Sequence, residues 1–540
     1  MNPVKNIVVT GGVLSGLGKG IVTCSIGKCL QVRGFKINVI KIDPYLNLDA
    51  GTMNPYIHGE VFVLDDGYEA DMDLGNYERF LDLSLSRINN ITTGQVYLEV
   101  IKRERRGDYL GKCVQIIPHI TNEIKRRIRL VERKSRPDVL IIEVGGTVGD
   151  IEGLPFLEAL RQLALKKGHD NMMFVHVTLV PTLSTTGEQK TKPTQHSVQE
   201  LRRIGIQPDI IICRSTKPLR KGAREKIALF CNVDIECIFS LPDLDVIYEA
   251  PLYLDQQGLG ETVLRRLKLE PRKPDWSSWR KIVDGFKNTV DTITVGLCGK
   301  YAELKDAYVS LIEALKHAAA YRRVAVDIKL IPSDRIEQGK LSIDVLDRFD
   351  GVVVPGGFGE RGAEGKIEAI KYCRENEKPF LGLCFGFQLA AVEYARNVAK
   401  LEGAHSEEID PDAKHLVITL LQEQKQLKEK GGTMRLGLHK ISIVKGTRLY
   451  SIYGREEIYE RHRHRYGLNN EYRALLEKHG LVFSAFSEHG EIVEALEIPS
   501  HPYFIATQYH PEFISRPGKP EPVFLGFINT ILRLKNASRS

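Results

Sequence analysis

The chain has 540 residues, 42% of them hydrophobic and 27% charged, enough apolar material for large packed cores; that excludes a disordered chain, a coiled-coil rod and a collagenous repeat. The 76 Lys and Arg residues outnumber the 69 Asp and Glu residues for a formal charge of +7, a mild excess over this length and no electrostatic footprint for nucleic acid. No run reaches the ~18 uninterrupted apolar residues of a membrane span, Met1 to Thr10 lacks the layout of a signal peptide, and 9 scattered cysteines without a C-x-x-C pair suit reduced thiols in a cytoplasmic enzyme.

At roughly 150 residues per domain the length predicts two to four domains. Short β-branched runs alternate with helical patterns, as a parallel sheet covered on both faces requires. The first run, Ile7 to Thr10, leads into Gly11-Gly12-Val13-Leu14-Ser15-Gly16-Leu17-Gly18-Lys19-Gly20 and an apolar-periodic stretch from Ile21 to Val32. Glycines let backbone N–H groups surround phosphate, Lys19 neutralises charge, and the helix N-terminus adds its dipole. The loop departs from G-x-x-x-x-G-K-[ST]. Val13 holds the first glycine position and Gly20 replaces the Ser or Thr that ligates Mg²⁺, so metal ligands must come from elsewhere.

Asp73, in Asp71-Met72-Asp73, and Glu143, closing the apolar strand Val139 to Val144, are the candidate hard-metal ligands. Lys41, at the end of the run that starts at Ile37, is a second cation for transferred phosphate. Two basic clusters, Lys102 to Arg106 and Arg461 to Arg465, read as solvated faces or small-anion sites rather than nucleic-acid contacts, since neither extends into a stripe with interleaved aromatics. Gly187 to Gln195 is either a second phosphate-and-base loop, with its lysines, threonines and glutamines around Pro193, or an exposed polar loop.

Glu270-Pro271-Arg272-Lys273-Pro274 breaks the pattern and reads as a linker leading to a short helix; a new alternation starts at Thr292. The predicted architecture is α/β: two doubly wound parallel-sheet domains over residues 1–267 and 291–540, joined by a linker over 268–290. The polar stretch Gln422 to Lys430 reads as an exposed helix or loop. Gly382-Leu383-Cys384-Phe385-Gly386 is a strand–turn–helix elbow with cysteine where hydrolases place serine, or else a buried structural cysteine between packing glycines. Val354-Pro355-Gly356-Gly357-Phe358-Gly359 is a glycine loop able to bring a backbone N–H to an oxyanion. His510-Pro511-Glu512, in a segment that reads as extended, places imidazole and carboxylate on one side of a strand. Glu512 can then fix the tautomer of His510 while the other ring nitrogen takes the thiol proton.

These second-half motifs resemble the class I glutamine amidotransferase family, which hydrolyses glutamine through a thioester and releases ammonia. The resemblance implies that glutamine lies against Gly357 and Phe385, Gly386, Phe387 and Gln388, its charged ends meeting Glu408 and Arg465. Glu407 is an alternative to Glu408, because Ala404-His405-Ser406-Glu407-Glu408 stands where the family reads Asn-Ser-Thr-Glu.

The motifs G-G-V-L-S-G-L-G-K-G, K-I-D-P-Y, H-G-E-V-F-V, D-L-G-N-Y-E-R-F, E-V-G-G-T-V-G-D-I-E and G-E-Q-K-T-K-P-T-Q are similar to the CTP synthase family, over essentially the whole chain. That family couples a P-loop NTPase-like synthetase domain to a class I glutaminase domain. The resemblance implies that ATP phosphorylates the 4-oxygen of UTP and that ammonia from Cys384 displaces the phosphate to give CTP. ATP would use Ser15, Gly16, Leu17, Gly18, Lys19, Gly20 and Asp73, with adenine near Pro242, Asp243 and Leu244, Mg²⁺ on Asp73 and Glu143, and Lys19 and Lys41 on the transferred phosphoryl group. UTP would use Ser15, Lys190, Thr191, Lys192, Pro193, Thr194, Gln195 and Lys226, and product CTP, an inhibitor, would add Asp150, Ile151 and Glu152. It also implies a homotetramer able to form filaments, activated by GTP near Phe358 and Arg361. Two departures bear on this: Pro242 and Val309 stand where many members carry lysine, the second linked to the GTP response. A cobyrinate-type amidase and an inert filament subunit are the competing readings.

Overall fold

The computed structural model describes residues 3–54, 59–300, 304–424 and 432–539. They fall into two compact units, one of Met1–Asp49 with Asn76–Val283, the other of Ala50–Gly75 with Asp284–Ser540. No helix among the described residues is long and apolar enough to cross a membrane.

The first unit is built on a seven-stranded sheet in which every pairing is parallel. Its order across the sheet is Asn90–Thr92, Ile37–Asp43, Val139–Val144, Lys5–Gly11, Met172–Leu179, Ile210–Ser215 and Ile238–Pro242. The strands are near-continuous apolar runs because both faces are covered. On one face Val8, Ile40, Ile42, Leu140 and Ile142 pack with Ile124, Ile128, Leu157 and Leu160 of the helices Thr121–Ser135 and Leu154–Lys167. Each such side chain removed from water contributes about 1.5–3 kcal/mol. The first strand sits where the connection order reverses, the position at which open parallel sheets bind ligands at their carboxyl ends.

The segment read as a linker is anchored to this unit. Its helix, Ser277–Lys287, follows Trp276, whose indole N–H donates to Asp255 Oδ2 at 2.8 Å, and contains Trp279, whose N–H donates to the Tyr248 carbonyl at 2.9 Å. Two buried tryptophans supply far more apolar area than a free tether would bury.

The second unit carries a nine-stranded sheet. The strands Val324–Pro332, Asp291–Gly299, Gly351–Val354, Phe380–Leu383 and Phe504–Thr507 run parallel in that order. Val493–Glu497, Val482–Ser487, Arg435–Ile443 and Glu457–His464 extend the sheet antiparallel, which the apolar alternation from Thr292 did not foretell. Successive residues feed opposite cores. Val352, Val354 and Phe380 join Ile367 and Ile370 of the helix Ala363–Glu375, whereas Val353, Leu381 and Leu383 join Phe524 and Ile528 of the helix Pro522–Arg539. Gln422–Gln424 forms a 3-10 turn with Gln424 buried, and the rest of that polar stretch lies outside the described residues.

Candidate active site

Cys384 caps the helix Phe385–Asn397 directly after the strand Phe380–Leu383. Its φ of 50° and ψ of −98° are strained for a residue with a side chain, as expected where a turn must aim a side chain rather than continue either element. The backbone N–H of Cys384 donates to the Thr507 carbonyl at 2.7 Å, tying the turn to the neighbouring strand. The flanking glycines are demanded by close approach. A Cβ on Gly382 would meet Ala506 Cβ at 2.9 Å, and one on Gly386 would meet the Val354 carbonyl oxygen at 2.2 Å.

The thiol is 3% exposed and opens on a pocket that it shares with Pro355 to Phe358, His510 and Glu512. Gln508 Nε2 approaches the sulfur at 3.6 Å. His510 Nδ1 and Glu512 Oε1 are 2.7 Å apart, whereas the buried Nε2 has no hydrogen-bond partner among the described residues, and the thiol donates to the Arg463 carbonyl at 3.6 Å. Burial would pull the imidazole down, but the Glu512 carboxylate and the Cys384 sulfur outweigh it and raise His510 to about 10. The imidazole is therefore protonated at neutral pH and can serve as a proton donor within this pocket.

The pairing of His510 with Glu512 does not come from strand alternation. The strand ends at Thr507, and Pro511 at the first position of a 3-10 turn, Pro511–Phe513, swings the two side chains together.

Glu407 and Glu408 part company. Glu407 Oε2 accepts from the Leu420 N–H at 2.7 Å, holding a strand, whereas Glu408 Oε1 accepts from the Gly359 N–H at 2.9 Å and so reaches the glycine loop. Burial raises the Glu408 carboxyl against that N–H and the charges of Lys300 and Lys366. Arg465 points to Gln424 Oε1 and Thr433 Oγ1, both at 2.8 Å. Gln388 is buried and donates to the Tyr466 carbonyl at 3.0 Å, with its own Oε1 unpartnered. Gly357 and Phe358 line the pocket; Lys300 Nζ donates to the Phe358 carbonyl, and Arg361 to the Lys300 carbonyl at 3.2 Å. Val309 opens the helix Val309–Tyr321.

The cluster Arg461 to Arg465, read as a solvated face or small-anion site, is largely internal. Arg461 pairs with Asp65 at 2.6 Å and Arg463 with Glu69 at 2.8 Å, while His462 and His464 are buried on the opposite face of the strand against Arg435. Strand alternation in Glu457–His464 sets Arg461 and Arg463 against the Asp65 and Glu69 side chains, a placement no local charge pattern reveals.

In the first unit, Gly18 takes the left-handed conformation, φ 80°, and caps the helix Lys19–Gln31, whose first turn holds no acid. Ser15 and Gly16 are exposed, Leu17 is buried, and Gly20 lies inside the helix. Lys19 Nζ donates to the Gly146 carbonyl at 2.8 Å. Gly18 shares a cleft with Pro242, Asp243 and Leu244, so the expected phosphate and adenine residues meet. Arg214, which motif reading missed, stitches that cleft, donating to the carbonyls of Leu241 (2.8 Å) and Pro242 (2.9 Å) and to Asp243 Oδ1 (2.8 Å).

Lys41 Nζ sits 3.2 Å from Glu143 Oε1 and 3.8 Å from Asp43 Oδ1, and Tyr77 donates to Glu143 Oε2 at 2.5 Å. Asp73 lies in the first turn of the helix Met72–Leu81, in the stretch that belongs to the second unit. No cluster of three His, Cys, Asp or Glu side chains able to hold a metal exists among the described residues. The Glu143 carboxylate is an oxygen donor of the kind Mg²⁺ takes, one or two carboxylates with water and substrate phosphates completing the shell.

The second anion loop is part structural. Thr194 Oγ1 donates to the Leu179 carbonyl at 3.1 Å and Gln195 Nε2 to Thr191 Oγ1 at 3.0 Å, while Lys190 pairs with Glu188 at 2.7 Å. Lys192 and Pro193 open the helix Lys192–Arg203; Lys226, Ile151 and Glu152 are exposed, and Asp150 accepts from the Thr147 N–H at 2.9 Å. A buried histidine, also missed, ties this helix to the first strand: His176 bridges Thr10 Oγ1 and Ser197 Oγ, both at 2.8 Å. Desolvation and the nearby Lys19 charge lower His176 to about 3, so it bridges as a neutral ring.

A phosphate-loop α/β unit and a cysteine-elbow α/β unit in one chain define a glutamine-dependent ligase. Residues 5–269 match the family model of the CTP synthase N-terminus, and residues 303–530 that of class-I glutamine amidotransferase. The CTP synthase of Carboxydothermus hydrogenoformans is 56% identical over 98% of this chain and 99% of its own length. That of Methanocaldococcus jannaschii is 55% identical over 98% and 99%. A solved structure, the Trypanosoma brucei CTPS glutaminase domain with bound acivicin, is 35% identical, covering 45% of this chain and 94% of that chain with a TM-score of 0.42. The chain belongs to the CTP synthase family, glutamine-hydrolysing C–N ligases whose substrates are UTP, ATP and glutamine.

Proposed function

We propose that glutamine is hydrolysed at a Cys384–His510–Glu512 triad and that the ammonia is channelled to UTP activated as its 4-phosphate. The shared pocket of thiol, imidazole and glycine loop carries this reading. Cys384 attacks the side-chain amide, and backbone N–H groups at Gly357 and Phe385 receive the oxyanion. The His510 imidazolium protonates the leaving ammonia, and the thioester is hydrolysed with the same imidazole as base. Glu512 keeps the ring oriented. Glu408 and Arg465 hold the charged ends of glutamine, and Gln388 its body.

The pocket is also lined by Gly51, Met53, Glu60 and Val61 of the same unit, and channelling would keep ammonia unprotonated and away from bulk water. Synthesis would occupy residues 1–267 and glutamine hydrolysis 291–540, with 268–290 between. Lys19 and Lys41 would face the transferred phosphoryl group. Asp73 and Glu143 would hold Mg²⁺, which when bound neutralises phosphate charge. An amide-like carbonyl is a poor electrophile, and phosphorylation makes its oxygen a leaving group. The same reading places UTP on the Lys190–Gln195 loop and Lys226, CTP as inhibitor beside Asp150 to Glu152, and GTP as activator near Phe358 and Arg361. Exposed Ile101, Leu110, Ile116 and Ile117 support self-association, here as a homotetramer that builds filaments.

Cys384→Ala tests the assignment. Glutamine-dependent CTP formation, followed by ultraviolet absorbance, should vanish while ammonia-dependent formation persists. Loss of both, or retention of both, would show that the chemistry is divided differently.

A further inference from the structure

The second unit buries a lysine that the scheme above does not use. Lys366 lies near the start of the helix Ala363–Glu375 and is 1% exposed. Its ammonium stands 4.9 Å from the ring centroid of Phe385, the residue after Cys384. A Cβ built on Gly357 would come 3.3 Å from Nζ. The charge thus stands against the Phe385 ring and beside Gly357, the two residues whose N–H groups are assigned to the oxyanion. No carboxylate oxygen among the described residues approaches it within the 4.0 Å of an ion pair. The ionisable groups that face it are Lys300, Glu408 and the thiols of Cys298 and Cys384.

An unpaired ammonium inside a protein is costly, and a methionine of similar length would fill the space without that cost. Packing alone therefore does not account for a lysine here. We propose that Lys366 is a positioning residue for glutamine hydrolysis, its fixed charge beside Gly357 and Phe385 favouring the negative charge that forms on the tetrahedral intermediate. The proposal rests on Cys384 being the nucleophile. Lys366 acts through the field it sets up at Gly357 and Phe385 without touching substrate, in a buried site where Coulomb interactions are weakly screened. Burial lowers Lys366 to about 8, so it is charged at neutral pH and loses its charge above pH 8; His510, held up to about 10, titrates higher.

The test measures glutamate release from glutamine across pH 6–10 for the parent chain, Lys366→Met, Lys366→Arg and Cys384→Ala, with ammonia-dependent CTP formation alongside. Lys366→Met should lower kcat about tenfold with little change in KM and no loss of the ammonia-dependent rate. The parent's kcat/KM should fall through pH 8, and Lys366→Arg, whose guanidinium does not titrate there, should move that limb upward. Unchanged kcat in Lys366→Met, or an alkaline limb that stays put in Lys366→Arg, would overturn the proposal; if the Met variant does not fold, the Arg comparison decides. Glutamate release surviving Cys384→Ala would instead strike the nucleophile assignment. A dead Cys384→Ala beside a fully active Lys366→Met would strike only the lysine.

Discussion

Alanine at Gly386 would place a methyl group where the backbone of Val354 already runs. Its carbon would lie 2.2 Å from the Val354 carbonyl oxygen, 3.1 Å from the carbonyl carbon and 3.3 Å from Cγ1. Carbon–oxygen contacts tolerate about 3.3 Å, so the elbow must retreat by roughly 1 Å. Val354 cannot give way: it belongs to an interior strand and is paired in register with Gly382 of the strand that leads into Cys384. A misplacement of about 1 Å at a reacting group costs about 100-fold in rate, or about 2.7 kcal/mol at 1.36 kcal/mol per decade. Overpacking adds about 1–3 kcal/mol of lost stability in the second unit. Gly386→Ala should therefore release glutamate from glutamine about 100-fold more slowly, as kcat/KM, while ammonia-dependent CTP formation changes less than about twofold. A variant within about threefold of the parent on glutamine would refute the claim that this close approach positions Cys384.

The split of the two glutamates gives a paired experiment: Glu408→Gln should raise KM for glutamine about tenfold, as loss of a charged contact does, whereas Glu407→Gln should leave KM alone and lower the melting temperature. Equal KM values for the two variants would contradict the geometry. Glu143→Gln removes the carboxylate 3.2 Å from Lys41 Nζ, and both glutamine- and ammonia-driven CTP formation should drop by at least about tenfold, partly recovered by raising Mg²⁺; undiminished activity would remove Glu143 from the proposed phosphate-transfer centre.

Much of this molecule is legible locally. A β-branched run such as Val139 to Val144 declares a strand covered on both sides, and glycines around Cys384 declare a turn that side chains would obstruct, because both requirements act between near neighbours in the chain. The phosphate loop is readable for the same reason. Other features depend on residues far apart in sequence. The choice between Glu407 and Glu408 turns on which backbone N–H lies opposite, Leu420 or Gly359, and the neutral bridge of His176 on two hydroxyls from other elements. A run of arginines and histidines at Arg461 to Arg465 looks solvent-facing until Asp65 and Glu69, some 400 residues earlier, are found against it. Lys366 carries no motif at all; its meaning arises from burial beside Gly357 and Phe385. Backbone conformation is dictated by neighbouring residues, and electrostatic environment by whatever the fold brings close, so the first could be read along the chain and the second had to wait for the packing.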